Sequence, residues 1–382
     1  GADTFHGTGG ADILNGEGGA DVFNGADAAG NDTFLGGGAV DTADYSADSN
    51  DLVVDFSGTD SVTGTGIGTD KLDSVEVVNL GTGNDTFING ASNDTISAGA
   101  GQDVADYDAE TADMTYNLST GAVTGAGTDV LSGFEVYLSG SGDDTFIVHD
   151  VAANNTFNGG GGVDTADYSS DANDLTVDLS GTDSVTGTGI GTDILSSIEV
   201  IKTGSGADEL TGSTGNDTFF GGAGADTFHG TGGADILNGE GGADIFKGAN
   251  VAGNDTFIGG GAVDTADYSG DADDLTVDFS GIDSVTGTGI GTDKLDSVEV
   301  VNLGTGDDTF INGASNDTIS AGAGQDVADY DAETADMTYN LSTGAVTGAG
   351  TDELSGFEVY LSGSGDDTFI VHDVAANNTL NG

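Results

Sequence analysis

Over long stretches of the chain one large apolar residue returns at every ninth position: Phe5, Leu14 and Phe23 near the start, then Leu210, Phe219, Phe228, Leu237 and Phe246. A period of nine matches neither the 3.6-residue turn of a helix nor the alternation of a plain strand, so a longer structural unit is required. Between these arrays run stretches that do alternate, such as "DLVVDF" (51–56), "DLTVDF" (274–279) and "SVEVVNLG" (74–81). They are β-branched and aromatic, bounded by Gly, Asn and Asp, and predict short strands joined by tight turns. No window carries a helical stripe.

The pattern is itself repeated. Residues 224–382 match residues 1–159 at a constant offset of 223 with 13 substitutions, mostly mild where apolar, such as Val22 to Ile245 and Phe157 to Leu380. We therefore expect one continuous solenoid made of a first copy, 1–223, and a partial second copy, 224–382. Within each copy the nine-residue arrays alternate with inserts. Asp41 to Asp85, Asp164 to Asp208 and Asp264 to Asp308 each span 44 residues, whereas Asp103 to Asp144 and Asp326 to Asp367 span 41. Every insert opens on "VDTADYS" or "QDVADYD", and those of the longer class continue through a glycine turn such as "VTGTGIGTD" (62–70). Glu76, Glu199 and Glu299 lie nine residues before Asp85, Asp208 and Asp308, which predicts that the inserts rejoin the same solenoid there, after about two added turns.

Charge narrows the possibilities. Four lysines face 67 acidic residues, for a formal charge of −63. Nucleic acid and acidic membrane surfaces would be repelled. Such a composition usually denotes disorder, yet 36% of the chain is hydrophobic at fixed offsets. That combination reads as a fold awaiting counter-ions. With no cysteine, disulfides and thiolate sites are excluded, and no apolar run is long enough for membrane insertion.

The counter-ion is suggested by the unit "GGAGADTFH" (221–229), followed by "GTGGADILN" and "GEGGADIFK", or G-G-x-G-x-D-x-U-x with U large and apolar. A hard cation takes six to eight oxygen ligands, and a glycine-rich turn can present backbone carbonyls alongside the carboxylate. The unit resembles the calcium-binding nonapeptide of the RTX (hemolysin-type) proteins. That resemblance implies an all-β fold, a right-handed parallel β-roll or β-helix solenoid with several calcium ions between stacked turns. Six residues of each unit would form the binding turn and three a strand, with Phe228, Leu237 and Phe246 inward and Thr227, His229 and Asn238 outward. One nonapeptide would be half a turn, so Asp226 and Asp244 would share an ion, Asp217 and Asp235 a second on the opposite edge, and Asp208 and Asp226 a third. The same motif marks Asp3, Asp12 and Asp21. Asp85, Asp94 and Asp103, with Asp308, Asp317 and Asp326, keep the register with partial glycine patterns, and Asp164 and Asp264 stand at insert entries. Asp32, Asp144, Asp255 and Asp367 stand beside lengthened loops or are partnered by Asn155 or Asn378, and are left open as ligands. The inserts resemble the "ADYS" modules of large bacterial surface proteins. In them Asp44, Asp106, Asp167, Asp267 and Asp329 precede tyrosines; one reading is a further ion or inter-turn site, and the plainer, favoured one is a packed tyrosine beside a water-facing aspartate.

Enzymatic signatures are missing: no H-E-x-x-H, no G-x-S-x-G, no G-K-[ST]. His6 and His229 fall on the outward position of a unit, and His149 and His372 in lengthened loops. The expected function is structural: an extracellular filament, surface-layer or matrix segment, exported unfolded and folding on external calcium, extended by end-to-end self-association or by a longer repetitive chain. The spacer of a giant adhesin is the alternative. An ice- or surface-binding face is a weaker one, because "GTGND" (81–85) occurs singly.

Overall fold

A computed structural model describes the chain except residues 8, 27–28, 150–152, 250–251 and 372–376. Among the described residues there are only strands, turns and bends, and no helix. The backbone divides into two compact units, Gly1–Tyr168 with Ser184–Val200, and Ser169–Asp183 with Ile201–Gly382.

In the first unit the three-residue strands Thr4–His6, Val22–Asn24, Thr42–Asp44, Val77–Asn79 and Thr95–Ser97 pair in parallel, one after another, along one face. Ile13–Asn15 and Thr33–Leu35 pair likewise on a second face. The second unit repeats the plan. Glu209–Thr211, Thr227–His229, Ile245–Lys247 and Thr265–Asp267 pair on one face, and Thr218–Phe220, Ile236–Asn238 and Thr256–Ile258 on the other. A nonapeptide is thus half a turn, as the resemblance implied.

The middle residue of each strand points inward. Phe228, Leu237 and Phe246 are wholly buried, while Thr227, His229 and Asn238 are half-buried on the outside. Successive rings stack: Phe228 on Phe246 at 5.1 Å and 11°, Phe246 on Phe257 at 5.2 Å. Parallel pairing at one strand spacing per turn brings equivalent side chains into register, so an aromatic column follows directly from the nine-residue apolar period.

Glycine makes the turns thin enough to stack. Gly222 and Gly242 have φ of 89° and 154°, and a Cβ on either would run into the carbonyl of Gly204 or Gly224 in the turn beneath. Backbone bonds join those turns directly, Ala223 N–H to Gly204 O at 2.8 Å and Gly241 N–H to Gly222 O at 2.8 Å.

The inserts do rejoin the solenoid where the glutamates predicted, since the N–H of Asp41 donates to Glu76 Oε2 at 2.9 Å. They do not add plain parallel turns. Leu52–Asp55, Ser61–Gly64 and Gly68–Asp73 form an antiparallel meander, reversed at Gly66 and Gly68 (φ 102° and 86°). Its last strand pairs in parallel with the earlier Thr33–Leu35 and its first with the later Thr86–Ile88. The chain folds back before advancing. Thr115–Asn117, Ala122–Gly125 and Gly127–Ser132 do the same, and the second unit has two such meanders, beginning at Leu275 and Thr338.

Replacing Phe246, enclosed by Phe228 and Phe257, with alanine is expected to destabilise the calcium-loaded protein by about 3–5 kcal/mol, read by chemical denaturation. A loss under about 1 kcal/mol would show that the ring column is not the core.

Candidate metal centres

Each turn places its aspartate immediately before the strand, where the backbone N–H of one turn meets the carboxylate of the next. Asp208 N–H donates to Asp226 Oδ1 at 2.8 Å, and Asp226 N–H to Asp244 Oδ1 at 2.9 Å. On the other edge Asp217 N–H donates to Asp235 Oδ1 at 2.9 Å, and Asp235 N–H to Asp255 Oδ1 at 2.8 Å. The pairs expected 18 residues apart are therefore neighbours, and the ladder steps by 20 where a loop is lengthened. In the first unit Asp3 and Asp21 N–H donate to Asp21 and Asp41, Asp12 and Asp32 N–H to Asp32 and Asp70, and Asp85 N–H to Asp103. Where an array meets an insert, a longer side chain takes the rung: Asp103 N–H on Glu135, Asp164 on Glu199, Asp264 on Glu299 and Asp326 on Glu358, at 2.9–3.0 Å.

In most of these aspartates one carboxylate oxygen is thus bound by backbone. The other divides the aspartates into two groups. Oδ2 of Asp21, Asp85, Asp103, Asp164, Asp208, Asp226, Asp235, Asp244, Asp264, Asp308 and Asp326 is buried with no donor. So is Oδ2 of Asp32, Asp41 and Asp255, the first and last of which the spacing left open as ligands. In Asp226 and Asp244 this oxygen is tucked so close to Gly221 and Gly239 that a Cβ there would collide with it. By contrast Asp94 and Asp317 receive Ser92 and Ser315 hydroxyls on Oδ2, at 2.9 and 3.1 Å, and Asp217 receives the N–H and hydroxyl of Ser213. Asp144 and Asp367 receive Ser139 and Ser362 at 2.5 Å. Asp3 is exposed and Asp12 half-exposed at the edge of the first stack.

A buried anionic oxygen without a donor is costly unless a cation meets it. The first group therefore fits a hard cation. Among the described residues no three His, Cys, Asp or Glu side chains converge on one point, so the further ligands of such an ion would be backbone carbonyls of the glycine turns or water. The residues present supply two carboxylates at most per rung.

Five aspartates not singled out by the nine-residue register also stand in the ladder. Asp70, Asp129, Asp193, Asp293 and Asp352 lie on meander strands. They accept the N–H of Asp32, Asp94, Asn155, Asp255 and Asp317 on Oδ1, and the hydroxyls of Tyr45, Tyr107, Tyr168, Tyr268 and Tyr330 on Oδ2 at 2.7–3.0 Å. The tyrosines pack as expected, and their hydroxyls additionally close a rung. Each such aspartate ends a "GTD" (68–70, 127–129, 191–193, 291–293, 350–352), a signal visible in the sequence once paired with "ADY". Their neighbours Asp44, Asp106, Asp267 and Asp329 are half-buried on the outside. Asp44, Asp267 and Asp329 accept an N–H two residues on, and Asp267 also takes Lys247 at 2.5 Å. His229 lies 3.6 Å from Glu209 at the surface, and His372 falls outside the described residues.

Burial, followed by neighbouring carboxylates, pushes Asp226 and Asp235 up to about 7 from the ordinary 3.8. Burial leads likewise for Asp85, Asp164, Asp244 and Asp308, each raised to about 6.

With that geometry in place, the model of the RTX calcium-binding nonapeptide repeat, in four copies, matches residues 1–30, 73–109, 189–228, 202–237, 220–250 and 296–332. The chain carries RTX calcium-binding nonapeptide repeats. No curated protein matches it.

Two outcomes are expected. A raised carboxylate pKa means that the folded chain binds protons more tightly than the unfolded one, so without metal stability falls as pH rises from about 4 to about 7. In chelator, the β signal in circular dichroism should be larger at pH 5 than at pH 8; equal signals would refute the burial of these groups. Tyr268→Phe, which strips the donor from Asp293 Oδ2, should cost about 1–3 kcal/mol in saturating calcium, measured by denaturant titration against Thr227→Ala as an outer-face control.

Proposed function

We propose that the chain is a structural segment of an extracellular bacterial filament, surface layer or matrix, held folded by several calcium ions along both edges of its stacked turns. The buried, donorless Oδ2 row is the observation that carries this reading. Eleven of the expected ligands belong to it, among them Asp21, Asp226 and Asp244. Binding of calcium to the folded state alone stabilises it by mass action. Extracellular calcium sites commonly have affinities of about 10⁻⁴–10⁻³ M, which suits a chain that stays unfolded inside a cell and folds outside it.

A structural rather than catalytic role is supported by repetition. A reaction needs one singular pocket, whereas here equivalent rungs recur with equivalent surroundings, and the 223-residue copies present equivalent outer residues. Copies 1–223 and 224–382 are on this reading the unit by which the segment is extended.

Chelation at pH 7.5 should abolish most of the β signal of the purified chain, and calcium should restore it cooperatively. Asp226→Asn with Asp244→Asn should raise the calcium midpoint several-fold, while Asp217→Asn, whose oxygens already hold Ser213, should move it little. A β signal indifferent to chelator at neutral pH would overturn the proposal.

A further inference from the structure

The ladder has a defect wherever the chain enters a longer insert, because the aspartate position at the strand's start holds Leu52, Leu175 or Leu275. The backbone still makes its rung: Leu175 N–H donates to Asp208 Oδ1 at 2.7 Å, and Leu52 and Leu275 N–H to Asp85 and Asp308 at 2.8 Å. The turn has the donor but no carboxylate of its own at that position.

A different residue supplies one. Asp171, four residues before Leu175, is 2% exposed. Its Oδ1 accepts the N–H and side-chain amide of Asn173 at 2.8 and 2.9 Å, and its Oδ2 is buried with no donor. Asp208, 2% exposed, also has a donorless Oδ2. The two turns are in direct contact: Ser205 N–H donates to Asp171 O at 3.0 Å, and Cβ atoms at Gly204 and Gly206 would strike the carbonyls of Asp171 and Asn173. Asp48 and Asp271 hold the same place over Asp85 and Asp308, receiving Thr82 and Thr305 N–H on their carbonyls. Behind burial, the charges of Asp51 and Asp48 help to raise Asp85, those of Asp174 and Asp171 to raise Asp208, and those of Asp274 and Asp271 to raise Asp308.

The shorter inserts provide the contrast. There Met114 and Met337 take the leucine position and Glu110 and Glu333 the aspartate position, with Glu110 N–H on Tyr107 O as Asp48 N–H is on Tyr45 O. Both acids are closed by protein donors. Ser139 and Ser362 bind Asp144 and Asp367, and the Asn89 and Asn312 amides bind Glu110 and Glu333 at 2.9 Å. In the longer inserts the serine position holds Leu80 or Leu303, which has no donor, or Thr203, whose hydroxyl turns to Gly221 O at 2.9 Å.

We propose that the longer insert between Asp164 and Asp208 binds a divalent cation of its own, calcium by the chemistry of the adjoining ladder, between Asp171 and Asp208, and that the shorter inserts bind none. The site lies outside the nonapeptide motif on one side. It rests on the calcium reading above.

The test counts ions on the intact chain by equilibrium dialysis and native mass spectrometry at saturating calcium. Asp171→Asn should hold about one calcium ion fewer than the wild type, and the double variant Glu110→Gln, Glu333→Gln the same number as the wild type. An unchanged count in Asp171→Asn overturns the insert site while leaving the ladder standing; a wild type that binds no calcium removes both. If Asp171→Asn fails to regain its β signal in excess calcium, Asp171→Ser is counted in its place, with one ion lost as the supporting result and none lost as the refuting one.

Discussion

Carboxylates stacked turn upon turn and shut away from water repel one another at short range, where protein screens charge far less than water does. Asp208, Asp226 and Asp244 on one edge, and Asp217 and Asp235 on the other, are all at most 5% exposed. Backbone N–H groups satisfy one oxygen on each, but a neutral donor cannot offset a full charge. Everything else in the structure depends on how the second oxygen is met.

Three solutions occur side by side. In the arrays the second oxygen is left bare, in rows that suit a hard cation. Where a meander strand takes the rung, a buried tyrosine hydroxyl is built in, as Tyr268 is on Asp293. In the shorter inserts and at Asp94, Asp217 and Asp317, serine does the work. Rungs with a bare oxygen and rungs closed by a hydroxyl thus both occur in the ladder. A hydroxyl needs no ion, but it also leaves the carboxylate charge uncancelled, which is why Asp293 is still pushed up to about 7 by burial first of all.

The core and the ladder are coupled by spacing. A turn can carry an aspartate at its end only if its glycines let it lie flat on the one below, as Gly222 does on Gly204. Flat turns in turn set the separation at which Phe228, Phe246 and Phe257 stack. Repulsion at the edge and ring packing inside therefore act through the same stacking distance.

The sequence by itself, through its nine-residue period and the resemblance of its units to the RTX nonapeptide, determined the half-turn unit, the inward apolar residue, the pairing of aspartates 18 apart and the rejoining at Glu76, Glu199 and Glu299, because each follows from local chain geometry repeated without change. Only the tertiary structure decided that the inserts fold back as antiparallel meanders, and that "ADY" tyrosines meet "GTD" aspartates 22 or 25 residues later. Strand direction and long-range donor placement depend on which segments become neighbours, and alternation reads the same in either direction. For the same reason sequence could register Asp94, Asp217 and Asp226 as equivalent, while folding separated them: whether a serine hydroxyl reaches a given carboxylate oxygen is set by side-chain packing in the closed turn, which no spacing records.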